Sequence, residues 1–336
     1  MEEMKLRKYE GIIDTIYIGG GTPSQLPTQD LIRLFQAIYN TYNIRKDAEV
    51  TLECNPDDIT TDFAASLLKL PINRISMGVQ SFSDDRLAFL HRRHTSTQTI
   101  EAVNILRNHG IQNISIDLMF GFPEESIYDW EFDIDSALSL HVEHISAYSL
   151  MYEEGTQLYQ LLKQRTVHEI NEETSLSMYN LLIDKLEKSG YEQYEISNFA
   201  RAGFRSKHNS SYWHEVPYIG LGASAHSYDG THRMWNPSNL TSYMQTIENG
   251  KLAYEQETLD LQTQYNDLIT TALRTKEGIN LVDMKRKYGL SLYQYMMDNA
   301  KQHLLNKNMH LINEHLSLTR KGLYISDDIM SDLIHI

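Results

Sequence analysis

Residues 1–150 predict an α/β fold in which a parallel sheet or barrel is covered by helices, and three observations predict it. Short β-rich runs alternate with helical patterns, the runs are apolar enough to be covered by helices, and polar residues gather toward the strand ends. The candidate strands are "DTIYIG" (14–19), "EVTLEC" (49–54), "RISMGV" (74–79), "NISIDLM" (113–119) and "HISAYSL" (144–150), with right-handed crossovers expected between them. Helices are expected at "TQDLIRLFQAIYNTY" (28–42) and "TSTQTIEAVNILRNHG" (95–110). In the second, Thr95 or Ser96 suits the N-cap and Gly110 the end.

After residue 150 the pattern changes. Residues 151–250 read as an α+β extension, with a helix at "TSLSMYNLLIDKLEKSG" (174–190) and an aromatic, Gly- and His-rich stretch. Residues 251–336 read as a helical module containing "LDLQTQYNDLITTALRT", "LYQYMMDNAKQHLLNKN", a hairpin at "MHLINEHLSLT" and a last helix. That outline is winged-helix-like. Its acidic and basic residues roughly balance, so packing or substrate covering is expected in place of DNA reading.

Composition narrows the function classes. No apolar run reaches the roughly 18–20 residues of a membrane helix, and the charged "MEEMKLRKYEG" lacks a signal-peptide core. A cytoplasmic protein without an integral membrane segment is the expectation. A net charge of −15 argues against non-specific nucleic-acid binding. Cys54 is the one cysteine, so this chain alone can build neither a disulfide nor a thiolate-held cluster or zinc site.

The glycine triplet of "IYIGGGTPSQLP" (16–27) ends a strand, without the GK[ST] of a P-loop or the spacing of G-x-G-x-x-G. It lets backbone groups approach a small polar ligand without Cβ interference, although a tight strand-to-helix turn explains it equally well. The other strand ends favour the ligand. "TLECNPDD" places Glu53 at a terminus, "SMGVQSF" carries Gly78 and Gln80, and "SIDLMFGFPEE" puts Asp117 within a strand just before Gly121-Phe122-Pro123. Polar groups at the C-terminal ends of successive parallel strands converge on one mouth, and a carboxylate in a β-branched run must be paired or face a polar cavity.

"IYIGGGTPSQL", "ECNPDD", "RISMGVQSFSDDRLAFLHRRH", "IDLMFGFPEES" and "HISAYSL" together resemble the radical S-adenosylmethionine (SAM) family of oxygen-independent coproporphyrinogen III oxidase and its relatives, over nearly the whole chain. The resemblance implies a partial (β/α)6-type barrel, here lacking its first strand. It implies that Gly20, Gly21 and Thr22 hold the amino group of the methionine end of SAM, with Glu53, Gln80, Arg92 and Asp117 completing the site. Arg93 adjoins Arg92, and the choice between them stays open. "HNSSYW" (208–213) resembles the H-N-x-x-Y-W signature of haem chaperones of the HemW type. It implies His208 as haem-iron ligand, with Tyr212 and Trp213 against the macrocycle. Arg205 and Lys207 suit propionates, and packing of the extension onto the barrel is the alternative for the whole stretch. His226, in the small-residue segment "YIGLGASAHSYDG" (218–230), is a second-rank haem candidate. His91, His94, His109, His141 and His144 share no metal spacing and are assigned to solvent or packing.

Members of that family hold a [4Fe–4S] cluster on C-x-x-x-C-x-x-C, which this chain does not contain. Its opening "EEMKLRKYEGIID" resembles the tail of the helix after the absent strand. As written, the polypeptide is expected not to reduce SAM, the cluster belonging to a full-length form. A start further upstream, a shortened polypeptide and a genuine cluster-free relative each account for this. The first two expose the edge of "DTIYIG" and predict homo-oligomerisation or lowered stability. The leading expectation is a haem chaperone that passes haem to an acceptor protein. The alternatives are a coproporphyrinogen III dehydrogenase and a cluster-free barrel binding a small ligand.

Overall fold

Alternation within the strands decides the architecture. In the computed structural model, which describes all 336 residues, β1 (Ile12–Ile18), β2 (Asn43–Cys54), β3 (Arg74–Gln80), β4 (Ile114–Phe120) and β5 (His144–Ser149) lie side by side in chain order, all parallel. One face of each strand is apolar and buried: Ile16, Val50, Leu52, Ile75, Met77, Val79, Ile114, Ile116, Leu118, Ile145 and Ala147. This convex face packs on helices α2 (Thr28–Thr41), α3 (Thr61–Leu67), α5 (Ser96–Asn108) and α6 (Ile127–Ser139). Each fully buried leucine or isoleucine there contributes about 1.5–3 kcal/mol. Short helices α1 (Glu2–Leu6) and α4 (Asp84–Phe89) complete this part of the chain. As expected, Thr95 caps α5, in a capping box with Gln98, and Gly110 turns the chain after it at φ +84°.

No sixth parallel strand follows. The sheet ends instead with β6 (Glu192–Gln193) and β7 (Asn198–Ala200), in the order β1-β2-β3-β4-β5-β7-β6, with β7 antiparallel to β5. Residues 194–197 between β6 and β7 are too few for a parallel crossover, which takes about a dozen residues. Helices α7 (Gln157–Lys163) and α8 (Glu172–Lys188) precede them. Met178, Leu182, Ile183 and Leu186 of α8 join the same core as the strands, and the Trp130 indole N–H donates to the Met178 carbonyl at 3.0 Å. The result is an open half-barrel.

Helix α9 (Lys207–Trp213) runs beside β1, so this edge strand is flanked along part of its free side. A three-stranded antiparallel sheet of β8 (His226–Tyr228), β9 (His232–Trp235) and β10 (Glu255–Thr258) follows, with α10 (Leu240–Glu248). It is tied to α1 by a buried ion pair. Glu3 accepts from Arg7 Nε (2.9 Å), Asn236 Nδ2 (2.7 Å), the Gly222 N–H (2.8 Å) and the Tyr243 hydroxyl (2.6 Å). The C-terminal module has its own core around Tyr265, Ile269, Met284, Met296, Leu316 and Ile329. It comprises α11 (Leu261–Ala272), α12 (Leu281–Leu305, broken at Gly289 with φ +83°), α13 (Arg320–Leu323), α14 (Ser326–Leu333) and the three strands β11 (Ile279–Asn280), β12 (Met309–Ile312) and β13 (His315–Leu318). No helix is long and apolar enough to cross a membrane.

Candidate functional site

The opposite, concave face of the sheet is mostly polar. Thr15 and Tyr17 on β1, Glu49, Thr51 and Glu53 on β2, Arg74, Ser76 and Gln80 on β3, Ser115 and Asp117 on β4, and His144 and Ser146 on β5 occupy the positions between the apolar ones. At the mouth, the three glycines do two different jobs. A Cβ on Gly19 would meet the Tyr17 ring at 2.6 Å and the Glu53 carboxyl at 2.8 Å, so this glycine permits close approach. Gly20 and Gly21 adopt φ +79° and +124° with open space where a Cβ would stand. The turn presents the Gly20 N–H to Glu53 at 3.1 Å, and the Tyr17 hydroxyl donates to the same carboxylate at 2.6 Å. Thr22 follows, half-buried, at the start of a single 3-10 turn.

Gln80, Arg92 and Asp117 converge around Gly78. A β-bulge between Gly78 and Gln80 puts Gln80 at φ +69°, and a Cβ on Gly78 would meet Gln80 Nε2 at 2.9 Å and Arg92 Nη2 at 3.2 Å. Asp117 is the β4 partner of Gly78. Arg92 donates to Asn55 Oδ1 (2.7 Å) and to the Gly78 carbonyl (3.0 Å). Arg93 instead reaches outward to Asp57 and Asp58, each at 3.0 Å, so of the two arginines Arg92 faces the site. Burial raises the Asp117 carboxyl to about 6, against the pull of Ser146, Arg74 and Arg92, with the Glu53 charge adding to the rise. The mouth thus offers carboxylates for a cation and a guanidinium for a carboxylate.

His208 enters the same chamber from α9. Glu49 accepts the Lys207 and His208 backbone N–H groups at 3.0 and 2.9 Å, which anchors the first turn of α9 on β2. The imidazole stacks on Tyr17 (centroids 4.8 Å apart, 18° between planes), with Nδ1 2.9 Å from Thr15 Oγ1 and Nε2 2.9 Å from the Tyr212 hydroxyl. Burial, assisted by the Arg74 charge and opposed by Glu49, lowers its pKa to about 4, so the ring is neutral at pH 7.

Other expected residues are not gathered there. Trp213 lies beneath the Arg274 guanidinium, 5.0 Å from its ring centroid, on the side of α9 that meets α11. Arg205 is paired to Glu192 and Glu277 at 2.8 and 2.7 Å, and Lys207 is exposed. His226 is exposed on β8, and a Cβ on Gly220 would strike its carbonyl oxygen, so that small-residue segment serves backbone contact. His144, assigned to solvent or packing from sequence, is fully buried on the concave face between Ser115 (2.7 Å) and the Tyr194 hydroxyl (2.8 Å). Cys54 is buried on the convex side of β2, where burial raises its thiol pKa, and no three His, Cys, Asp or Glu side chains are grouped to hold a metal ion. Thr15, Tyr17, Glu49, Thr51 and Arg74 escaped the sequence reading, although their alternation with apolar neighbours marks them.

Comparison with known proteins identifies the family. Residues 1–137 match the family model of the radical SAM superfamily, and residues 259–325 that of the HemN C-terminal domain. The heme chaperone HemW of Bacillus subtilis (strain 168) is 34% identical over 94% of this chain and 84% of its own length. The HemW of Lactococcus lactis is 32% identical over 94% and 83%. The solved structure of coproporphyrinogen III oxidase (HemN) from Escherichia coli superposes with a TM-score of 0.83, covering 99% of this chain and 81% of that one at 20% identity, and so shares the fold. On these grounds the chain belongs to the radical SAM superfamily, among its HemN- and HemW-like proteins.

Proposed function

We propose that this protein binds haem through His208 and SAM at the barrel mouth, and hands the haem to an acceptor protein. One observation carries the reading. The His208 imidazole stacks on Tyr17, whose hydroxyl donates to Glu53, so the haem-ligand candidate and the SAM candidates share one chamber. The names of the Bacillus subtilis and Lactococcus lactis relatives, heme chaperone HemW, support it.

The chemistry is consistent. A neutral imidazole donating Nδ1–H to Thr15 keeps its Nε2 lone pair for iron, and the Thr15 bond fixes the ring's orientation. Tyr212 holds Nε2 at 2.9 Å, a contact that iron ligation at that nitrogen would replace. At the mouth, Glu53 and Asp117 accept from the ammonium and hydroxyls of SAM, Arg92 pairs its carboxylate, and Gly20, Gly21 and Thr22 leave room for its methionine end. The [4Fe–4S] cluster that the family implies does not fit the residues of this chain, whose one cysteine is buried and has no grouped partners. SAM is proposed as a ligand of the mouth, with no step routed through a cluster.

Haemin titration tests the reading. The wild type should show a shifted Soret band, and His208→Ala should weaken binding by at least about tenfold, the low end for loss of a supporting metal-site contact. An identical spectrum and affinity in the variant would remove His208 from the account.

A further inference from the structure

Below the mouth, two side chains of the concave face are buried without partners. Arg74 is 1% exposed, yet none of its guanidinium nitrogens makes a hydrogen bond or an ion pair, and its Nε is fully enclosed. Thr51, its neighbour across the β2–β3 pairing, is 0% exposed with its Oγ1 likewise unpartnered. A buried guanidinium ordinarily has a carboxylate or several acceptors, because an uncompensated buried charge costs several kcal/mol. None of the carboxylates that share the face bonds Arg74: Glu49 holds the first turn of α9, Glu53 binds Tyr17 and Gly20, and Asp117 feels the Arg74 charge without a hydrogen bond or ion pair to it. The charge of Arg74 is felt by Tyr17, Asp117, His144, Tyr194 and His208, groups on five different segments that surround the chamber. A guanidinium fork beside a hydroxyl is a donor set for a planar anion.

We propose that Arg74 and Thr51 form a carboxylate-binding site on the floor of the half-barrel. The site rests on the haem reading above, since haem carries propionates, whereas the methionine carboxylate of SAM is assigned to Arg92 at the mouth. Arg74 supplies paired N–H donors, Thr51 a third donor, and the neutral His144 and His208 rings add no competing charge. Thr51 pairs in register with Tyr17, on which His208 stacks, so the bound carboxylate would hold the ligand from the β2–β3 side while His208 approaches from β1.

The test compares each ligand with a version whose carboxylates are masked or removed. Wild type, Arg74→Met and Arg74→Lys are titrated with haemin and haem dimethyl ester, and with SAM and decarboxylated SAM. Wild type should prefer haemin to its dimethyl ester by about tenfold or more, the fold-change matching a hydrogen bond to a charged group. Arg74→Met should erase that preference and Arg74→Lys retain part of it. Loss within the haemin pair assigns a propionate, and loss within the SAM pair alone would overturn that assignment. A purely structural Arg74 would lower the melting temperature and leave the preferences standing, which overturns the site. Thr51→Val, which keeps the side-chain shape, should weaken the same preference if Arg74→Met does not fold. Wild-type binding of neither haemin nor SAM would overturn the functional reading and this site with it. Failure at His208 alone, with the Arg74 preference intact, would leave the site standing.

Discussion

The two faces of one sheet divide the labour of this molecule. On β2, Val50, Leu52 and Cys54 point into the helix-covered core, while Glu49, Thr51 and Glu53 point into the chamber. The strand period of two means that neighbouring residues share a backbone and nothing else. The convex face is closed and apolar, the kind of surface that supplies stability. The concave face holds carboxylates, arginines and histidines that cost free energy to bury. Such a face is retained for what it binds.

Substitutions on the two faces should therefore fail differently. The largest stability loss belongs to the convex face. Ile116→Ala, at a fully buried position, should cost about 2–5 kcal/mol by urea denaturation while haemin affinity measured well below the melting temperature stays unchanged. Next is the neighbouring concave residue. Asp117 titrates near 6 in the folded chain and near 3.8 when unfolded, so below pH 4 it is protonated in both states. Between pH 4 and 6 the folded form retains a proton that the unfolded chain has released, and raising the pH through that window removes stability. Asp117→Asn should abolish this slope and gain up to about 2–3 kcal/mol on the wild type by pH 7 in paired melting curves, while weakening SAM binding. The smallest effect is expected at Glu49. Glu49→Gln keeps the shape but not the charge that holds the first turn of α9. A loss of about 1–2 kcal/mol is expected, with a haemin affinity between those of wild type and His208→Ala.

Much of this division was legible in the sequence. The five parallel strands and the helices at 28–42 and 95–110 follow from apolar runs separated by capped helical patterns, and the structure holds them within a few residues of those bounds, apart from the earlier start of β2. Gly20, Glu53, Gln80, Arg92 and Asp117 are legible as candidates because they sit near strand ends or in motifs, and the structure brings them to one end of the sheet. Tyr17, Glu49, Thr51 and Arg74 were missed because they lie within strands, where alternation was read as secondary structure and not as a second surface. The docking of α9 could not be read locally, since Thr15 and His208 are 193 positions apart. The same holds for the buried Glu3–Asn236 contact, made across 233 positions. Trp213, expected against the macrocycle, packs under Arg274 for a related reason. A signature lists residues in order, but helical geometry turns the sixth residue of "HNSSYW" toward α11 while the first and fifth share a face.

Leu52 and Glu53 are consecutive residues on opposite faces, and they give the sharpest test. Calorimetric titration with SAM, paired with thermal melting, should be run on Leu52→Ala and Glu53→Gln. Leu52→Ala should melt markedly lower with wild-type SAM affinity, and Glu53→Gln should melt close to wild type with SAM affinity reduced by about tenfold or more. Wild-type SAM affinity in Glu53→Gln would contradict the division between the two faces.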